Sequence, residues 1–309
     1  MRPYILLKSF PGSLAAWSRE KSPRRIRAAV ASSAPLLAKV DFNEFDKQVE
    51  TILTKSDPDC VSNIRSIFRL LVEKMKTLKG RREIVRVFRL DDSLLRPGMS
   101  EKDVQNFFFV VRNYINFIIM HSAVNARIHR DLLTLHSMCD KLRGGTSIKQ
   151  LRDVISMVMK AHGKSPLTPI DISYRNFVEF MKNERFGRPS SQPRAWLYQN
   201  CNEFGHFTTS EDPNGLFGDT VPLSFFIDRC QHVFGPEYTE ERILKNIADT
   251  NDYFGGNQHF RVYFTFRNNV QTFTQMEDRK TLMGFYTMKM SAFINKSYRD
   301  CLLKSHILL

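Results

Sequence analysis

The sequence predicts an α/β fold whose strands are interrupted by a long helical segment. Three observations carry this reading. A short apolar run, Tyr4 to Leu7, enters a Ser9-Phe10-Pro11-Gly12 turn and then a helical pattern with Leu14, Ala16 and Trp17 on or near one face. A second buried run, Ile26 to Ala31, ends in the small-residue turn Ser32-Ser33-Ala34-Pro35. From about Asp41 to Asn183 the apolar spacing is helical throughout.

The opening stretch has the layout of a nucleophile elbow: strand, sharp turn carrying a serine, helix. Such a turn thrusts a hydroxyl clear of the sheet edge. The usual spelling is Gly-x-Ser-x-Gly, because the crowded turn leaves little room beside the serine. Here that spelling is incomplete, and Ser13 is expected to cap the following helix.

In the helical segment, Phe42, Phe45, Val49, Ile52 and Leu53 fall at helical spacing. Cys60, Ile64, Ile67, Phe68, Leu71 and Met75 make an amphipathic face that Gly80 is expected to end. Ser100 and Asp103 suit a capped start for a very apolar helix over Val104 to Ile119. Further helices are predicted over Leu132 to Leu142, Ile148 to Ala161 and Tyr174 to Met181. A linker, Arg188 to Pro193, leads to a predicted strand, Ala195 to Gln199, on which Trp196 and Tyr198 pack the sheet. Phe204 to Gly218 reads as a polar loop. Helices over Val221 to Cys230 and Glu240 to Asp249 follow, then a late strand, Val262 to Phe266.

With 42% hydrophobic and 25% charged residues the chain can bury a core. No apolar run approaches the ~20 residues that span a bilayer. The apolar start ends at Lys8, short of a signal peptide's core, so no such peptide is visible. The formal charge of +14 collects at Arg19 to Arg27 and at Lys74 to Arg89. Neither cluster carries a nucleic-acid-reading motif or interleaved aromatics, so both read as solvated basic faces and no nucleic-acid partner is expected. The five cysteines show no C-x-x-C pair and no metal-ligand spacing, so no metal or cofactor is expected.

Four ordered blocks carry a resemblance. Ser9-Phe10-Pro11-Gly12-Ser13-Leu14-Ala15-Ala16-Trp17 runs into Ala31-Ser32-Ser33-Ala34-Pro35. Trp196-Leu197-Tyr198-Gln199-Asn200-Cys201-Asn202-Glu203-Phe204-Gly205 follows, then Cys230-Gln231-His232-Val233-Phe234-Gly235 and Thr250-Asn251 with Phe254-Gly255-Gly256. Together they resemble the family of prolyl carboxypeptidase, dipeptidyl peptidase II and thymus-specific serine protease, which are serine exopeptidases of α/β-hydrolase fold. The resemblance implies hydrolase segments at 1–40 and 186–309 and an inserted helical cap at 41–185. It further implies a partial α/β-hydrolase sheet whose amino-terminal strands are missing, leaving an open edge that a second chain, as in a homodimer, could cover. The isolated chain is then expected to be poorly soluble. The family is secreted or lysosomal and disulfide-bonded. By resemblance Cys60, Cys139, Cys201 and Cys230 pair, in an order left open, and Cys301 stays free.

The resemblance also assigns roles. Ser9 falls at the nucleophile, acting on a peptide through an acyl-enzyme at or near proline, and the Phe10 N–H at one oxyanion donor. Leu7 and Lys8 stand where the family has glycines and are expected to strain or relax the elbow. Gln271 falls at the aspartate position and Arg299 at the histidine position. A neutral amide cannot stabilise an imidazolium, and a guanidinium cannot act as a base. Asn202 and Glu203 fall at the substrate-facing surface, with Glu203 as a buried carboxylate for a peptide amino terminus or as a structural group for the turn. Asn295 heads the one glycosylation sequon. His206, His232 and His259 read as surface or capping residues, and His121, His129 and His136 as helix positions without a supporting carboxylate. Two readings follow: a serine exopeptidase, inactive or severely impaired as this chain, or a non-catalytic relative or truncated product that binds a peptide or protein partner.

Overall fold

The computed structural model describes residues 3–32, 34–128 and 133–256, with the side chains of 8, 32 and 123–128 left aside. His129, His259, the Val262 to Phe266 run, Gln271, Asn295, Arg299 and Cys301 lie outside the described residues. The chain opens with β1 (Tyr4–Lys8), α1 (Phe10–Lys21) and β2 (Ala28–Ser32). β1 and β2 pair in parallel, Tyr4 against Ala28 through Lys8 against Ser32, with α1 as the crossover. This is a βαβ unit, the connection that two parallel strands require.

After β3 (Lys39–Asp41) the chain runs first through seven α-helices. They are α2 (Glu44–Ser56), α3 (Pro58–Met75), α4 (Leu78–Phe88), α5 (Glu101–Ile128), α6 (Leu135–Leu142), α7 (Ile148–Ala161) and α8 (Tyr174–Lys182). α9 (Ser191–Gln199) and a π-helical turn, Asn200–Phe204, lead into β4 (Gly205–Phe207), which pairs in parallel with β3. An antiparallel pair, β5 (Ser210–Glu211) and β6 (Asp219–Val221), precedes α10 (Leu223–Phe234) and α11 (Glu240–Phe254). The fold is a mixed, helix-rich α/β arrangement.

The buried apolar residues form two cores. The larger joins the helices, with Leu53, Ile64, Phe68, Leu71, Phe107, Ile115 and Ile155 all essentially dry. The smaller packs Ala16, Trp17, Ala31, Ala34, Leu36 and Phe204 around α1, with Phe10 and Phe254 against it. Trp17 stacks on Phe254 at 4.3 Å. The Asn251 amide clamps Ala38 through both backbone groups, at 2.9 and 2.8 Å, and so ties α11 to the segment before β3.

Several expectations change. Helix α1 begins at Phe10, so Ser13 is not its cap; it is buried inside the helix and donates to the Pro35 carbonyl at 2.8 Å. Gly80 does not end α3. It lies in the first turn of α4, where Thr77 caps its N–H, and a Cβ there would sit 2.1 Å from the Lys74 carbonyl oxygen. The predicted strand Ala195 to Gln199 is helical, because Ser190 and Ser191 open a turn that the following residues continue. Trp196 and Tyr198 are therefore partly exposed on a helix rather than packed on a sheet. The cysteines pair as Cys60–Cys139, joining α3 to α6, and Cys201–Cys230, joining the π-helical turn to α10. Among the described residues no helix is long and apolar enough to cross a membrane.

Candidate functional site

The site is built where β1 gives way to α1. Ser9 holds φ 58° and ψ −144°, one of three non-glycine residues with positive φ among those described. A non-glycine residue in this region stores about 1–3 kcal/mol of strain and persists only where its surroundings hold it. Ser9 is exposed and its hydroxyl makes no capping bond to the helix. The strand and the helix on either side hold the turn: Lys8 is registered against Ser32 in the sheet, and the Gly12 N–H donates to the Ser9 carbonyl at 2.8 Å. Leu7 does not displace the elbow. It is an extended residue of β1, and its side chain is exposed.

The N–H of Phe10 opens α1 and, like every first-turn amide, has no intrahelical acceptor. Pro11 has no N–H, and Gly12 is bonded to the Ser9 carbonyl, so among the described residues the Phe10 N–H is the unpaired donor beside Ser9. The positive end of the helix favours negative charge at the same point.

Aromatic rings wall the turn. Phe10 meets Trp196 edge-on at 4.3 Å and lies 5.7 Å from Phe204 and 5.4 Å from His206. His206 also packs edge-on against Phe42 at 5.4 Å. The expected surface histidine is therefore mostly enclosed. Its Nδ1 is buried with no hydrogen-bond partner among the described residues, and burial lowers its pKa from 6.5 to about 4, so the ring is neutral at ordinary pH. Residue type alone gave no sign of this enclosure; only the approach of β4 to α1 creates it. Gly205, before it, takes φ 66° and lies so close to β3 that a Cβ would sit 2.4 Å from the Lys39 carbonyl oxygen.

Other expected groups are placed as follows. Glu203 is exposed, not buried, and the Asn202 amide donates to the Tyr198 carbonyl at 2.8 Å within its own helical turn. His232 is an exposed residue whose Nδ1 is 2.9 Å from the Tyr174 hydroxyl. His136, read as lacking a carboxylate, has Asp140 one turn away at 3.2 Å, an exposed pair. Among the described residues no group of three or more His, Cys, Asp or Glu could hold a metal ion. Behind the site, fully buried Arg112 of α5 reaches Asp46 of α2 at 3.0 Å and the Thr208 hydroxyl at 2.9 Å. Burial pushes the Asp46 carboxyl above the usual carboxylate range, and the Arg112 charge opposes that push.

A strained, exposed serine between a parallel strand and a helix N-terminus agrees with one sequence profile, that of serine carboxypeptidase S28, which matches residues 4–269. The chain belongs to the serine carboxypeptidase S28 family. Among its S28 relatives, a Caenorhabditis elegans chain named for a candidate serine protease, K12H4.7, is 31% identical over 82% of this chain and 50% of its own length. The human thymus-specific serine protease is 27% identical over 80% of this chain and 48% of its own. The mouse protein of that name is 26% identical with the same coverage, 80% and 48%. This S28 chain thus spans about half the length of the curated relatives it matches.

Proposed function

We propose that Ser9 is the nucleophile position of a serine peptidase that hydrolyses peptide bonds at or near proline through an acyl-enzyme. The observation that carries this reading is the backbone of Ser9, held at φ 58° with its hydroxyl exposed at the N-terminus of α1. An ordinary strand-to-helix turn would place glycine or a capping residue there and spare the strain. The Phe10 N–H then faces the oxyanion that develops when the serine attacks a carbonyl. The rings of Phe10 and Trp196, set edge to face, offer an apolar surface beside the serine, which suits a pyrrolidine ring in the substrate. Exposed Glu203 and half-buried Asn202 are proposed at the outer rim, where a carboxylate meets a peptide amino terminus. The helical run between β3 and β4 is proposed as a cap over this site, and the compartment as secretory or lysosomal, in keeping with two disulfides.

As this chain, the activity is proposed to be absent or severely impaired. Gln271 stands at the aspartate position and Arg299 at the histidine position by resemblance. An amide in place of the aspartate costs on the order of 10⁴ in rate where it has been tested. The second reading, a peptide-binding relative without catalysis, draws on the same two residues. Fluorophosphonate labelling of the chain secreted from a eukaryotic cell, with Ser9→Ala as control, tests the proposal. Labelling lost in Ser9→Ala shows an activated serine and so a working base. Absence of labelling on folded protein shows that the elbow survives as architecture, and peptide binding becomes the quantity to measure.

A further inference from the structure

Helix α4 buries Gly80, Ile84 and Phe88. At about 100° per residue the opposite face carries Lys79, Arg82, Arg86 and, at the C-terminal cap, Arg89. All four are exposed, and none has an ion-pair partner among the described residues. Glu83 is paired with Lys74 and Glu73 with Lys76, and Asp91 accepts the Ser93 N–H. At about 1.5 Å per residue the four cations form a line on the order of 15 Å long. A further cation stands near one end. Arg152 of α7 is buried, its Nη2 donating to the Pro166 carbonyl and its Nη1 unpartnered among the described residues, and burial together with the Arg89 charge lowers its pKa against the opposing pull of Tyr114 and Asp153. Like charges held this close without counter-charge cost energy, and a bound anion relieves it.

We propose that this stripe is a docking surface for a linear sulfated polysaccharide. A row of unpaired cations on one helix face matches a chain that repeats its anions along a line. Two features separate this partner from other polyanions. The disulfides Cys60–Cys139 and Cys201–Cys230 belong to oxidising compartments, where sulfated polysaccharides occur and nucleic acids are scarce. The stripe also offers no exposed aromatic ring for base stacking. The exposed apolar side chain beside it, Leu78, gives too little area for insertion into an anionic bilayer.

The test uses immobilised heparin and the full secreted chain, with far-UV circular dichroism melts to confirm folding. The quadruple variant Lys79→Gln, Arg82→Gln, Arg86→Gln, Arg89→Gln is expected to elute at clearly lower salt and to bind soluble heparin about tenfold or more weakly, with a shallower salt dependence. A matched variant at exposed positions elsewhere, Lys55→Gln, Lys182→Gln, Arg185→Gln, Arg188→Gln, loses the same net charge and is expected to behave like the parent. If the first variant misfolds, Arg86→Glu alone carries the test and is expected to lower the elution salt. Equal losses in both quadruple variants would reduce the effect to net charge and overturn the proposal. So would failure of the parent to be retained at about 0.15 M salt, or binding to duplex DNA or phosphatidylserine vesicles as tight as to heparin at that salt. None of these readouts depends on Ser9.

Discussion

The imidazole of His206 packs edge-on against the ring of Phe10, with 5.4 Å between centroids and planes at 73°. Phe10 is the residue after Ser9, so a mostly enclosed, neutral histidine braces the residue that would supply the oxyanion donor. The pKa of His206 lies near 4 against an ordinary 6.5 because burial disfavours its charge. A depressed histidine binds its proton in the unfolded state first. Stability from this site is therefore whole above about pH 6.5 and is lost as pH falls toward about 4, by on the order of 3 kcal/mol in all. His206→Phe is expected to flatten that part of the stability curve, measured by urea midpoints from pH 7 to 4.5. An unchanged slope would show that His206 is not the group responsible.

The strain at Ser9 gives a second prediction. Glycine adopts positive φ freely, so Ser9→Gly is expected to raise the melting temperature, with a gain of about 1 kcal/mol. Ser9→Ala keeps the strain and is expected to be close to neutral. A turn shaped for stability alone would show no gain with glycine.

The buried pair Arg112–Asp46 joins two helices to the segment after β4. Removing one partner strands the other in a dry interior, so Arg112→Met is expected to cost about 3–5 kcal/mol. Adding Asp46→Leu to that variant is expected to recover most of the loss, since a well-packed apolar pair replaces ions at little cost. Denaturant midpoints of the two single variants and the double variant measure the coupling.

The disulfides differ in what they close. Cys60–Cys139 spans 79 residues and Cys201–Cys230 spans 29. On the chain-entropy account, loss of the first costs about 4.5 kcal/mol and of the second about 3.6 kcal/mol. Serine pairs at each bridge are expected to rank in that order. The Cys201→Ser, Cys230→Ser variant is also expected to loosen Trp196 and Phe204 beside the elbow, seen as a shift in tryptophan fluorescence.

Local pattern determined much of this protein. The apolar faces over Cys60 to Met75 and Ile148 to Ala161 appear as α3 and α7, because a helix that must bury one face writes its period into the chain. The strand–serine–helix order placed Ser9, since an elbow is a local object. Tertiary structure decided the rest. Trp196 and Tyr198 read as strand residues, yet the turn at Ser190 and Ser191 and the packing of Phe204 make the segment helical. The partners of the cysteines depended on which helices meet. His206 looked like any surface histidine until β4 came beside β3 and carried the ring between Phe10 and Phe42. Enclosure by residues far apart in sequence leaves no periodic trace, so the neutral ring beside the serine emerges only when the chain has folded.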